Sequence, residues 1–203
     1  MDGKNAVNSL KYIIIGDSSV GKSNLLNVFT KNIFTYEYQP TNGNNFCSRD
    51  INLNDKTYRI NIFDMGGAEN CKNIIKSYYS KTDCALIVYE IDKRESFENV
   101  TNWIKDFQEN GPETAKMVLV GNKCDLEETR VVSELQGTDL SLKYGMQFFE
   151  TSAKKGINVN EVFTQSCELI TKKEKGNNIK KDKDKKCSFL RSILEKVGCK
   201  CFS

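Results

Sequence analysis

One octapeptide constrains this 203-residue chain more than any other feature. Gly16-Asp17-Ser18-Ser19-Val20-Gly21-Lys22-Ser23 matches the pattern GxxxxGK[ST] in full. It follows Leu10-Lys11-Tyr12-Ile13-Ile14-Ile15, a β-branched run that reads as a strand. It opens a helix expected over residues 23–30. Strand, loop and helix in that order are what a phosphate loop requires. The glycines let the backbone wrap phosphate oxygens, and successive N–H groups at the helix N-terminus face the anion. In such a loop the lysine reaches the β- and γ-phosphates and the hydroxyl ligates Mg²⁺, roles that fall on Lys22 and Ser23. The loop implies a nucleotide phosphate and leaves the base open.

The rest of the chain reads as alternating strands and helices. Residues 47–53 and 57–63 flank Asn54-Asp55-Lys56, a plausible hairpin turn. Residues 84–91 and 116–120 are apolar runs suited to parallel strands buried on both faces. Between them Phe97, Val100, Ile104 and Phe107 recur at helical spacing. Helical patterns return at 132–143 and 158–171, with a short strand at 146–149. Residues 33–43 and 64–69 read as loops. The pattern implies an α/β doubly wound sheet whose strand ends converge on one ligand crevice.

Composition removes competing chemistries. The chain has no histidine, so a Ser-His-Asp triad, a His-ligated zinc and an imidazole base are all excluded. The eight cysteines are scattered without a CxxC pair, and no apolar run has the length of a signal peptide or membrane span. These features imply a cytosolic chain with reduced thiols.

Asn122-Lys123-Cys124-Asp125 follows the strand at 117–120, roughly 100 residues beyond the phosphate loop. A carboxylate there can accept from both N1–H and the 2-amino group of guanine, donors that adenine lacks as a pair. In Glu150-Thr151-Ser152-Ala153-Lys154, the backbone N–H near Ala153 can meet the guanine carbonyl.

With these motifs in place, residues 9–171 resemble a small GTPase of the Ras superfamily, specifically of the Rab family. Rab-like wording includes Thr41-Asn42-Gly43-Asn44-Asn45-Phe46, Tyr78-Tyr79, Ser96-Phe97-Glu98-Asn99-Val100 with Trp103, and Gly121 to Leu126. The resemblance implies a P-loop small G domain: a six-stranded, mostly parallel sheet flanked by helices, with one antiparallel strand. It implies a GTP/GDP switch in vesicle traffic, Mg²⁺ as cofactor, and effectors, an exchange factor, a GTPase activator and a prenyl-escort or extraction protein as partners. Phe34 matches the aromatic that packs across guanine. Thr41 is expected to ligate Mg²⁺ and sense the γ-phosphate, Asp64 to hold a Mg²⁺-bound water, and the Gly67 N–H to meet the γ-phosphate. The nucleotide-binding set then comprises Gly16 to Ser23, Asn24, Phe34, Tyr38, Thr41, Gly67, Asn122, Lys123, Asp125, Leu126, Ser152, Ala153 and Lys154. Phe46, Phe63 and Tyr78 match the family's effector platform, Phe63 standing where Trp is usual.

One departure touches the chemistry. The family's water-positioning Gln follows the motif Asp64-Met65-Gly66-Gly67, and here that position is Ala68. An Ala side chain neither donates nor accepts, so intrinsic hydrolysis is expected to be very slow. A GTP-binding adaptor with negligible hydrolysis is the alternative. Adjacent Gly66 and Gly67 imply a looser second switch.

From residue 172 the composition shifts. Residues 172–203 carry 11 basic and 4 acidic residues, against 19 and 23 before them. The resulting organisation is an extension at 1–8, the G domain at 9–171, a basic disordered linker at 172–187, and an amphipathic segment at 188–203. The last resembles a Rab end with prenylation at Cys199 and Cys201. Lipid and lysines together imply anchoring on the cytoplasmic face of an intracellular membrane. The basic residues lack interleaved stacking platforms, so nucleic acid is not an expected partner.

Overall fold

The computed structural model describes residues 8–37, 41, 44–66 and 72–172, with the side chains of Asn44 and of 72–75 excepted. The elements run β1 (Asn8–Ile15), α1 (Lys22–Lys31), β2 (Asn44–Leu53), β3 (Lys56–Met65), α2 (Lys72–Tyr79) and β4 (Cys84–Glu90), then α3 (Arg94–Asn110), β5 (Lys116–Asn122), α4 (Glu134–Tyr144), β6 (Gln147–Glu150) and α5 (Val159–Thr171). The six strands form one sheet in the order β2-β3-β1-β4-β5-β6. Only the β2–β3 pair is antiparallel, closed by the tight turn at Asn54 and Asp55, both with positive φ. The sheet is therefore the mostly parallel α/β arrangement, with one antiparallel strand, that the family resemblance implied.

Alternation along β1 explains the two layers. Tyr12 and Ile14 face α1 and α5, where they join Leu25, Leu26, Phe29, Val162 and Phe163. Ile13 and Ile15 face the opposite layer with Tyr79, Val100, Ile104 and Phe107. Every residue of β4 is buried, as expected for a central parallel strand covered on both sides. Phe29 of α1 stacks on Phe163 of α5 with centroids 3.8 Å apart, locking these helices on one face.

The structure corrects two sequence expectations and adds two elements. Asp64 and Met65 are strand residues rather than loop, because β3 continues pairing with β1 at Ile14 and with β2 at Asn44 and Asn45. Helix α2 was not read from the sequence, nor was the 3-10 turn Glu127–Thr129. The last strand covers Gln147–Glu150, and Met146 precedes it.

Gly137 sits where α4 crosses the sheet. A Cβ there would lie 2.3 Å from Phe148 Cζ and 2.7 Å from the Tyr89 hydroxyl. Gly137→Ala is expected to destabilise by about 1–3 kcal/mol despite the better helix former, because both rings are packed. Thermal unfolding checks this: a lower Tm is expected, and a rise from helix propensity would contradict the packing argument.

Candidate functional site

The C-terminal ends of the parallel strands β1, β3, β4 and β5 carry the motifs to one side of the sheet. There a cavity of about 1060 Å³ is lined by Ser18, Ser19 and Gly21 to Asn24, by Phe34 to Glu37 with Thr41 and Asn45, and by Asn122, Lys123, Asp125, Leu126, Ala153 and Lys154. Residues separated by more than 130 positions in sequence thus line one chamber. Tyr38, Gly67 and Ala68 lie outside the described residues, as do the 188–203 segment and Cys199 and Cys201.

Two glycines shape the phosphate loop. Gly16 has φ +143°, and a Cβ on it would lie 2.2 Å from the Val88 carbonyl oxygen. Gly21 has φ +94° and leads directly into α1, where a Cβ would meet Asn122 Nδ2 at 2.3 Å. No other residue fits either position. Lys22 is buried, and its ammonium donates to the carbonyls of Gly16 at 2.9 Å and Asp17 at 2.6 Å. Burial pushes this ammonium down to about 8, while Asp64 and Asp17 act in the opposite direction.

A second group of oxygens gathers beside it. The Ser23 hydroxyl donates to Asp64 Oδ2 and lies 3.0 Å from the Thr41 hydroxyl. Asp64 is 0% exposed. Its Oδ1 has no hydrogen-bond partner among the described residues. Burial raises its carboxyl above the ordinary value, opposed by the Ser23 hydrogen bond, the Lys22 charge and a hydrogen bond with Asn45. Two hydroxyls and a carboxylate with an unpartnered buried oxygen fit a hard dication such as Mg²⁺. Among the described residues, no cluster of three Cys, Asp or Glu offers a different metal centre.

At the other end, Asn122 works as a tie. Its amide donates to the Val20 carbonyl at 2.8 Å, and its oxygen accepts from the Thr151 hydroxyl at 3.1 Å and the Ala153 N–H at 3.3 Å. One buried side chain therefore sets the phosphate loop and residues 151–153 in mutual register. The Ser152 hydroxyl donates to Asp125 Oδ1 at 2.6 Å while accepting the Lys155 N–H at 3.0 Å, which fixes the carboxylate at the cavity wall. Lys123 adopts φ +65° and pairs with Glu90 at the end of β4.

Asn24, Phe34 and Lys154, expected in the binding set, come together through Thr35, a residue the motifs do not single out. Asn24 of α1 clamps Thr35: its amide donates to the Thr35 carbonyl and its oxygen accepts the Thr35 N–H and hydroxyl, each at 3.0 Å. That clamp positions Phe34 and the 81%-exposed Tyr36, whose rings meet edge-on at 5.0 Å. The Lys154 ammonium lies 5.8 Å from the Tyr36 ring centroid, so residues from two loops meet at this end of the cavity. The alternate aromatics Phe34 and Tyr36 were the available signal. The expectation for Asp17 divides: its carbonyl holds Lys22, whereas its carboxylate turns toward α3 and lines no part of the cavity.

On the sheet surface, Phe46, Phe63 and Tyr78 form a continuous row with centroids 5.1 and 5.4 Å apart. Lys11 projects over Phe63 and Tyr78 and donates to the carbonyls of Tyr78 and Ser80.

Comparison with known proteins agrees with this geometry. The Ras family model matches residues 11–172. The chain is 44% identical over 167 residues to Ras-related protein Rab-2B of Dictyostelium discoideum, covering 82% of this chain and 83% of that relative. It is 35% identical over 191 residues to Ras-related protein Rab-13 of Bos taurus, covering 94% of each. It is also 35% identical to human Ras-related protein Rab-8B, over 91% of this chain and 95% of the relative. The Ras family model over most of the chain, likeness to Rab proteins along that same length, and the GxxxxGKS and Asn122–Asp125 motifs on one sheet edge place this protein in the Rab branch of the Ras family of small GTPases.

Proposed function

We propose that this Rab-family GTPase is a membrane-traffic switch that hydrolyses GTP very slowly on its own and rests for long periods in the GTP state. Family membership carries GTP and GDP binding, GTP hydrolysis and a role in membrane traffic. The single supporting observation is the cavity itself, which gathers the phosphate loop, Thr41 and the Asp125–Ser152 pair around one ligand-sized space.

The chain's residues divide the work. Asp125 reads the guanine edge, with Phe34 across its face, and the Ala153 N–H, which donates to Asn122 at 3.3 Å, would turn to share its proton with the guanine carbonyl. The loop N–H groups from Ser18 to Ser23 and the Lys22 ammonium cradle the β- and γ-phosphates. Ser23, Thr41 and Asp64 would hold Mg²⁺, which supplies charge neutralisation for phosphoryl transfer. Thr41 and the Gly67 N–H sense the γ-phosphate, and their release after hydrolysis relaxes both switches. Positioning of the attacking water is the missing part, because Ala68 presents no polar group at the position where Gln orients it in this family.

The test is single-turnover hydrolysis of bound GTP. Ala68→Gln is expected to accelerate it about tenfold or more, corresponding to about 1.4 kcal/mol of barrier. Equal rates for the two proteins would refute the slow-switch reading. The second reading, a GTP-loaded adaptor with negligible hydrolysis, also follows from Ala68. A panel of activators separates the two, since an adaptor stays GTP-bound with all of them.

Residues 9–171 form the switch domain in this proposal, and 172–187 act as a basic linker. The 188–203 segment carries prenyl groups on Cys199 and Cys201 and is handled by an escort or extraction protein. Among the described residues, no helix is long and apolar enough to cross a membrane. Phe46, Phe63 and Tyr78 serve as the effector surface, with exchange factor and activator engaging the switches.

A further inference from the structure

Asp17 is the phosphate-loop residue tied to a helix outside the cavity. Its Oδ2 accepts from the Asn99 amide and its Oδ1 from the Trp103 indole N–H, both at 2.8 Å. Asn99 and Trp103 lie four residues apart on one face of α3, so their donors reach the same carboxylate. Hydrogen bonds to an ionised acceptor are among the stronger ones in proteins, and here both carboxylate oxygens are engaged. The same residue's carbonyl accepts the Lys22 ammonium at 2.6 Å. Asp17 is thus a link with α3 on one side and Lys22 on the other.

A second tie joins α3 to the base end. The Ser96 hydroxyl, one turn before Asn99, accepts the Glu90 N–H at 3.1 Å and donates to the Lys93 carbonyl at 2.8 Å. Glu90 in turn pairs with Lys123 of the base-reading motif. One helix therefore braces both ends of the cavity without touching its interior.

We propose that Asn99 and Trp103 are positioning residues for nucleotide retention, acting through Asp17 to hold the phosphate loop and Lys22 in their binding geometry. The inference rests on the reading of the cavity as a guanine-nucleotide site. Loss of either donor leaves one Asp17 oxygen unpaired, and the loop then samples other conformations, including ones in which Lys22 is misplaced.

The experiment measures release of mant-GDP from the full chain, with Mg²⁺ present and excess GDP as chase. Trp103→Phe keeps an aromatic ring and deletes the N–H. Asn99→Ala, at a half-exposed position, provides an independent variant should Trp103→Phe fail to fold. Each is expected to raise the release rate about tenfold, the size of effect that loss of one charge-assisted hydrogen bond produces. Asp17→Ala is expected to raise it at least as much, and adding Trp103→Phe to Asp17→Ala should change it little further, because both act in one network. Release at the wild-type rate in the folded single variants overturns the proposal. So does an effect of Trp103→Phe that multiplies in full with that of Asp17→Ala, since a role limited to packing α3 behaves in that way. Failure of the wild-type protein to retain mant-GDP at all would instead remove the nucleotide-site reading on which the inference stands.

Discussion

Asp125→Asn is expected to lose GDP affinity on the order of a thousandfold while gaining affinity for xanthosine diphosphate. The carboxylate offers two acceptor oxygens to the two guanine donors, at about 1.5–3 kcal/mol for each hydrogen bond to a charged group. An amide in its place has one acceptor and one donor. The neighbouring geometry decides which of them faces the base. Ser152 accepts the Lys155 N–H and donates to Asp125 Oδ1, so in the variant the amide oxygen is held by Ser152 and the NH₂ turns into the cavity. A donor there opposes the guanine 2-amino group and matches the 2-carbonyl of xanthine. Competition between the two diphosphates for the purified variant checks this, with circular dichroism confirming the fold. Undiminished GDP retention would remove Asp125 from the base-reading role.

Asp64→Ala is expected to separate stability from ligand retention. In the wild-type protein, EDTA should accelerate nucleotide release by about a hundredfold or more, because a bound dication supplies several kcal/mol of charge stabilisation. In the variant, release should be fast from the outset and insensitive to EDTA. The stripped protein should nevertheless unfold at an unchanged or slightly higher temperature. Asp64 is 0% exposed, and its Oδ1 lacks a partner among the described residues. An unsatisfied buried acceptor costs about 1–3 kcal/mol, which offsets the lost hydrogen bonds with Ser23 and Asn45 and the lost attraction to Lys22. Nucleotide release followed with and without Mg²⁺, together with Tm of the stripped protein, tests both halves. A variant whose release still slows when Mg²⁺ is added at wild-type concentrations would place the cation elsewhere.

Both predictions concern residues visible in sequence as motif members, yet their signs depend on neighbours that spacing does not supply. Asp125 was legible because a four-residue pattern follows a buried strand. The orientation of its carboxylate depends on Ser152, 27 positions later. Asp64 was legible as the start of a glycine-containing stretch and was therefore read as loop. Its place in β3 follows from pairing with β1 and β2, which a local reading does not include.

Strand β4, the core of β5 and β1 from Tyr12 onward were readable because helices cover both faces of the central sheet, so these positions are nearly all apolar. Helix α3 was readable because 17 residues repeat its apolar stripe several times. Helix α2 has eight residues, with Ile74, Ile75, Tyr78 and Tyr79 at helical spacing, so its apolar stripe is confined to two turns. The glycines at 16 and 21 were evident as motif letters, and the reason for them, contact with Val88 and Asn122, appears only once β4 and β5 are in place.

The amino-acid order alone carries the local patterns on which the proposed chemistry rests: the GxxxxGKS loop, Asn122-Lys123-Cys124-Asp125, hydroxyls and a carboxylate in a chain without histidine, and Ala68 after Asp64-Met65-Gly66-Gly67. These are local patterns, because a backbone loop and the next few side chains suffice to meet a phosphate or a base edge. The tertiary structure decided how those parts are held. Asn122 ties loop to loop, Asn24 clamps Thr35, and α3 grips Asp17 across 82 and 86 positions of chain. Such contacts leave no periodic trace in sequence, since a hydrogen bond requires only that two polar groups meet and the folded sheet alone brings them together.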